Sequence, residues 1–222
     1  MKEYFEILKK CSLLKGIEEE ELAGMMNCLQ AKIAAVGRGQ VVMEEGSAAD
    51  RLGIVLQGSV QVVREDYYGN RSLMAVVEPG EMFAEAFACA GIKNIPVSVI
   101  AAEESKIMLV ECRRVLTLCG NACGFHSRLV ANLLQVVAQK NLVLNRKIEF
   151  MSRKTTREKL MAYLLWQAKE KGSDEFVIPY DRQQLADYLG VERSAMSAEL
   201  SKLRQEGLIE YKKSRFRLME QE

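Results

Sequence analysis

The chain has 222 residues, 49% of them hydrophobic, enough to bury one large core or two compact ones. Its 31 basic and 30 acidic side chains leave a net charge of +1, which excludes a bulk electrostatic attraction to nucleic acid or to an anionic membrane. No apolar run approaches the roughly 18–20 residues of a membrane span, and the charged start "MKEYFEILKK" lacks the apolar stretch of a signal peptide. With Cys11, Cys28, Cys89, Cys112, Cys119 and Cys123 forming no C-x-x-C pair, a reduced cytoplasmic chain with buried thiols is expected.

Residues 2–29 read as helices, because "YFEILKKCSLL" and "EEEELAGMMNCL" place apolar residues three and four apart. From Ala31 to Glu111 short β-rich runs take over: "GIVLQ", "SVQVV", "LMAVV", "VSVIAA" and "KIMLVE". Turn markers at Gly39, Gly46, Gly58, Gly69 and Gly80 separate them, a spacing that predicts a sandwich or jelly roll. Within this half, "GEMFAEAFACAGIKNIPVSV" has the outline of a small-molecule pocket, yet its only basic residue is Lys93. The candidate lining is Met82, Phe83, Glu85, Ala86, Phe87, Ala88, Ile95, Val97, Ser98 and Val99, with Asn141 and Leu144 closing it from a following helix. A core without any pocket accounts for the same residues.

A long helical pattern runs from about Gly120 to Met151. Val130, Leu134, Val137, Asn141, Leu144, Ile148 and Met151 step by alternating fours and threes, which is a heptad seam. The Asn at an a position favours a parallel two-stranded homodimer; the other reading is a helix packed on its own domain. "MSRKTTREKL" interrupts the seam and places a hinge near residues 151–156, where Thr155 and Glu158 have capping-box spacing and restart a helix through about Lys171. These breaks predict an N-terminal region 1–119, a helix 120–151 and a C-terminal domain 152–222. The last holds 14 basic against 12 acidic residues, so any DNA-binding role rests on local geometry.

The most specific signal is "YDRQQLADYLGVERSAMSAELSKLRQEGLIEY". Asp181 and Gln184 form a capping box, Gly190 supplies a left-handed turn, and Val191 plugs it. A second helix buries Met196, Leu200 and Leu203 and ends at Gly207, and "LIEYKKSRFRLM" alternates like a hairpin. This is a winged helix-turn-helix pattern, whose second helix enters the major groove of double-stranded DNA. Its candidate DNA-facing residues are Arg193, able to pair with guanine in a bidentate way, with Ser194, Ser197 and Ser201. Arg182, Lys202 and Lys213 are assigned to phosphate, together with Lys212, Arg215 and Arg217 of the wing.

The whole chain resembles the CRP/FNR family of bacterial transcription regulators. "EEGSAADRLGIVLQGSVQVVRED" and "EPGEMFAEAFA" are similar to the family's β-roll, and "DRQQLADYLGVERSAMSAELSKLRQEGLI" to its DNA-binding motif. The resemblance implies an α+β chain: an N-terminal β-roll or jelly roll of the cyclic-nucleotide-binding-like type, a long dimerisation helix and a C-terminal winged helix-turn-helix domain. It also implies a homodimer on a palindromic operator, contact with RNA polymerase, and a small-molecule effector or redox signal passed through the long helix. Ala198 departs from the arginine that many members carry there.

Members that bind cyclic AMP use a Gly-Glu pair followed by an Arg-Ser pair. Here Glu85 matches the Glu, Ala84 replaces the Gly, and Ile95–Pro96 replaces Arg-Ser, so cyclic AMP is not expected. Haem would need His126, the only histidine, for which a surface or capping role is expected; an iron–sulfur cluster lacks its clustered cysteines. A jelly-roll metalloenzyme needs several histidines, and no G-x-S-x-G or P-loop occurs, so an enzyme is not expected. A protein-binding module without sequence-specific DNA binding is the competing class.

Overall fold

The computed structural model describes residues 2–69, 71–117 and 124–219. The chain divides into two compact units, Met1–Gln139 and Lys140–Glu222, with the division falling inside one long helix.

In the first unit the expected N-terminal helices appear as shorter pieces: a 3-10 turn at Lys2–Tyr4, α1 (Phe5–Leu8), a second 3-10 turn at Ser12–Leu14, and α2 (Glu19–Leu29). Two four-stranded antiparallel sheets follow. One has the order β1 (Lys32–Val36), β8 (Ser105–Glu111), β3 (Arg51–Gln57), β6 (Met82–Phe83). The other has the order β2 (Val41–Met43), β7 (Ser98–Ala101), β4 (Val60–Glu65), β5 (Arg71–Val77). The five runs read as strands fall in β3, β4, β5, β7 and β8. All five glycine turn markers have positive φ.

Within the β1-β8-β3-β6 sheet the strands β8, β3 and β6 are buried on both faces, and their period-two alternation sorts side chains between two cores. Leu52, Ile54, Leu56, Met82, Met108 and Val110 pack with the N-terminal helices and the long helix. Val55, Phe83 and Ile107 point the other way, into the roll interior with Val60, Ile95, Val97 and Val99. Gly53 makes this possible at one point. A Cβ there would lie 2.0 Å from Phe83 Cζ, so the ring occupies the space that any side chain would fill.

After β6 come α3 (Glu85–Ala90) and, after β8, α4 (Cys112–Leu116). The long helix α5 spans Gly124–Met151; Gly120, where the periodicity began, together with Cys119 and Cys123, lies outside the described residues. It carries two apolar stripes. Phe125, Leu129, Leu133 and Val136 are buried in the first unit's core. On the heptad stripe Leu134, Leu144 and Ile148 are 69%, 58% and 62% exposed, and Asn141 is exposed. Val130 and Val137, on the same heptad stripe, are half-buried, and Val137 packs against the first unit's core, so the two rows overlap on that part of the helix.

The second unit contains α6 (Thr156–Lys171), β9 (Glu175–Val177), α7 (Arg182–Leu189), α8 (Arg193–Gln205), β10 (Ile209–Lys212) and β11 (Arg215–Leu218), with sheet order β10-β11-β9. The helix break at residues 152–155 and both capping boxes, Thr155–Glu158 and Asp181–Gln184, form as read. Phe150, near the end of α5, is buried in this unit's core beside Tyr163, Trp166 and Tyr188. Tyr163 is fully buried, which pushes its phenol well above the usual tyrosine range while its oxygen accepts from Gln167 Nε2 at 2.9 Å.

Candidate nucleic-acid interface and effector segment

The helix-turn-helix is built from local chemistry. Gly190 closes α7 at φ +60, with its N–H donating to Asp187 O and the Val191 N–H donating to Ala186 O. Val191 then packs on the core, and α8 is anchored by Met196, Leu200 and Leu203, each at most 1% exposed. That anchoring turns Arg193, Ser194, Ser197, Ala198 and Lys202 outward as exposed residues, with Ser201 half-buried beside them.

The serine hydroxyls are held in place. Ser197 Oγ donates to Arg193 O at 2.9 Å and Ser201 Oγ to Ser197 O at 3.0 Å, the i to i−4 pattern of helical serines. Their donors are engaged, so each offers lone pairs outward and suits a base amino group as partner. Lys202 Nζ pairs with Glu199 at 2.8 Å, which ties down part of its charge.

Arg182, assigned to phosphate, is half-buried against the aromatic rings of the wing. Its guanidinium lies 4.8 Å from the Tyr211 ring centre and 5.1 Å from that of Phe216, and burial holds its pKa below the usual arginine value. It braces the wing against the start of α7 through cation–π contact, an arrangement invisible to a reading that saw only a cation at a helix start. Arg204 lies over Tyr211 as well, at 5.1 Å.

The wing is a hairpin whose register pairs Lys212 with Arg215, leaving a two-residue turn, Lys213–Ser214. Lys213 sits at the tip with φ +54, a left-handed conformation that costs a lysine about 1–2 kcal/mol. Lys212, Lys213, Arg215 and Arg217 are all exposed, and Arg215 pairs with Glu175 at 3.3 Å. Exposed cations at a hairpin tip beside an outward-facing helix are what a duplex phosphate backbone requires.

The effector segment is a packed element. Met82 and Phe83, assigned to one lining, face opposite sides of β6: Met82 joins the helical core and Phe83 the roll interior. Their separation follows from strand geometry. Glu85, Ile95, Val97 and Val99 are buried, Ala86 is exposed, and Phe87 and Ala88 are half-buried. Ser98 Oγ accepts from the Glu45 N–H at 3.1 Å, so this hydroxyl bonds a neighbouring turn. Asn141 and Leu144 belong to the second unit, where both are exposed.

Ala84 has φ +61 and ψ 1 at the start of α3. That is a glycine conformation occupied by alanine, at the position where the resemblance expects glycine. His126 is corrected from a surface residue to a buried one, 1% exposed, because it falls on the stripe of α5 that faces the core. Its ring lies 4.8 Å from that of Phe125 and its Nε2 3.9 Å from Cys28 Sγ. Cys89, expected as a buried apolar thiol, is half-buried and its Sγ lies 3.6 Å from that of Cys112. Burial, followed by this hydrogen bond, pushes the Cys112 thiol up to about 12.

These features define a β-roll protein that carries a winged helix-turn-helix unit. Residues 34–121 match the family of the cyclic nucleotide-binding domain, and residues 158–222 the Crp-like helix-turn-helix domain. A CRP-like cAMP-activated global transcriptional regulator of Mycobacterium tuberculosis is 32% identical over 80 residues, 36% of this chain and 35% of that protein. The chain thus spans about a third of that relative's length. The nitrogen fixation regulation protein FixK of Azorhizobium caulinodans is 25% identical over 215 residues, 91% of this chain and 82% of the relative. The catabolite activator protein of Thermus thermophilus shares the fold, with a TM-score of 0.50 at 20% identity over 94% of this chain and 93% of its own. The chain belongs to the CRP/FNR family of transcription regulators.

Proposed function

We propose that the protein is a sequence-specific, DNA-binding transcription regulator and not an enzyme, working in the cytoplasm as a homodimer on a palindromic operator and contacting RNA polymerase there. The observation that carries this reading is the exposed face of α8, Arg193, Ser194, Ser197 and Ala198, set beside the cationic tip of the wing. A second copy would cover the heptad stripe of α5, where Leu134, Leu144 and Ile148 are left open to solvent. Among the described residues no helix is long and apolar enough to cross a membrane.

The signal enters at the roll and is not cyclic AMP. The Mycobacterium tuberculosis relative is named as cAMP-activated, but this chain has Ile95 and Pro96 where the phosphate-holding pair would stand, and Ile95 is buried in the core. A cyclic phosphate would go without a compensating cation.

The test is binding of the purified protein to its own upstream region against random DNA across a salt series. A preference for the upstream fragment, with affinity falling steeply as salt rises, supports the reading. Equal affinity for both fragments favours the protein-binding module.

A further inference from the structure

We infer that Cys89 and Cys112 form a peroxide-driven disulfide switch that staples the effector helix α3 to α4. The two sulfurs face each other at 3.6 Å, van der Waals contact, although 23 positions separate the residues in the chain. A disulfide requires about 2.05 Å, a change that side-chain rotation and a small shift of α3 supply. Cys89 lies within α3, four residues after the buried Glu85 and five after the left-handed Ala84. Cys112 opens α4 with its backbone N–H donating to Asp50 O, and its side chain is buried in the helical core together with Phe125 and Leu129 of α5. The pair therefore joins the segment that should sense to the core that holds the long helix.

The two thiols have different roles. Cys89 is half-buried and is the one a small oxidant reaches, whereas Cys112 is 2% exposed and stays protonated at neutral pH. The Cys89 thiolate attacks one oxygen of a hydroperoxide, the O–O bond breaks, and a sulfenic acid and one water (or alcohol) result. The Cys112 sulfur then displaces the sulfenic oxygen from Cys89, and its own proton leaves with that oxygen as a second water. Two thiols are oxidised to one disulfide and one peroxide is reduced. Among the described residues no third Cys, His, Asp or Glu joins the pair as a metal-binding group. The regulatory consequence rests on the DNA-binding reading; the covalent step does not.

The experiment treats reduced full-length protein with hydrogen peroxide, blocks residual thiols and maps tryptic peptides. Residues 72–93 linked to residues 107–113 are expected, reversed by dithiothreitol and absent in Cys89→Ala. Oxidation is expected to change affinity for the upstream DNA fragment about 5–150-fold, the usual size of an allosteric coupling, with Cys89→Ala unresponsive. Pairing of Cys89 with any other cysteine, over-oxidation without a link, or a metal retained on these thiols in native mass spectrometry overturns the assignment. A link that leaves DNA affinity unchanged overturns the switch alone. Absence of sequence preference in both the reduced and the oxidised protein overturns the DNA-binding reading instead.

Discussion

Replacing Gly53 by alanine tests the packing that holds the effector segment in place. The new methyl would meet Phe83 Cζ at 2.0 Å and both Cε atoms at 2.5 Å, against the 3.4–4 Å of ordinary contact. The ring must retreat by well over an ångström, yet it is 2% exposed and enclosed by the roll interior. Overpacking of this kind costs about 1–3 kcal/mol. Loss of glycine flexibility in the unfolded chain offsets roughly 0.4–1 kcal/mol, leaving a net loss centred on about 1.3 kcal/mol. For a chain of this size the melting temperature falls by about 2–4 °C per kcal/mol. Urea unfolding of Gly53→Ala, Phe83→Leu and the double variant forms a cycle. Leucine lacks the three clashing ring atoms, so the double variant should be more stable than additivity predicts, by about 0.5–3 kcal/mol. A Gly53→Ala protein as stable as the parent, or a strictly additive double variant, would refute the argument.

Four further outcomes follow from the same geometry. Ala84→Gly relieves a left-handed alanine and should stabilise the first unit by about 1 kcal/mol in chemical denaturation. Arg193→Ala should relax base preference, costing about 1–3 kcal/mol at one operator position, while Lys213→Ala should weaken all sequences alike and flatten the salt slope by about one. Replacing both Leu134 and Leu144 by glutamate should leave a monomer in sedimentation, because like charges would meet along the open stripe of α5. Cys112 and Tyr163 have pKa values raised above their ordinary 9.0 and 10.0 because burial favours the neutral form. The folded state binds their protons more tightly than the unfolded one, so stability is full below about pH 9 and falls as pH rises toward 12. Thermal melts from pH 8 to 11 read this directly, and Cys112→Ala should shallow the decline.

What could be read in advance was what neighbours in sequence decide. The capping boxes at Thr155 and Asp181, the turn at Gly190 and the buried row Met196, Leu200, Leu203 each depend on residues within a few positions. The strands of the roll are legible where β-rich apolar runs continue, whereas the mostly exposed β1, the short β2 and β6 and the helices α3 and α4 offer too little pattern. Distant pairings were invisible for a different reason. Nothing in spacing brings Cys89 to Cys112, His126 to Cys28 or Arg182 to Tyr211, since those contacts arise only after the sheets and helices stack. On α5 the heptad rule found the row that holds the open Leu134, Leu144 and Ile148 with the half-buried Val137, and missed the buried row Phe125, Leu129, Leu133, Val136, because a single period describes one face at a time.

The braced guanidiniums and back-bonded hydroxyls bear on the entropy of association. Arg182 and Arg204 rest on Tyr211, and Ser197 and Ser201 are tied to their own helix, before any duplex arrives. A rotamer-rich side chain frozen on binding loses roughly 0.5–1.5 kcal/mol of freedom, a cost that the two ring-braced arginines meet in part during folding. The exposed Lys212 and Lys213 keep theirs until they meet phosphate. Affinity carried by the recognition helix should then be nearly insensitive to how many tip lysines are ordered, while non-specific affinity follows them.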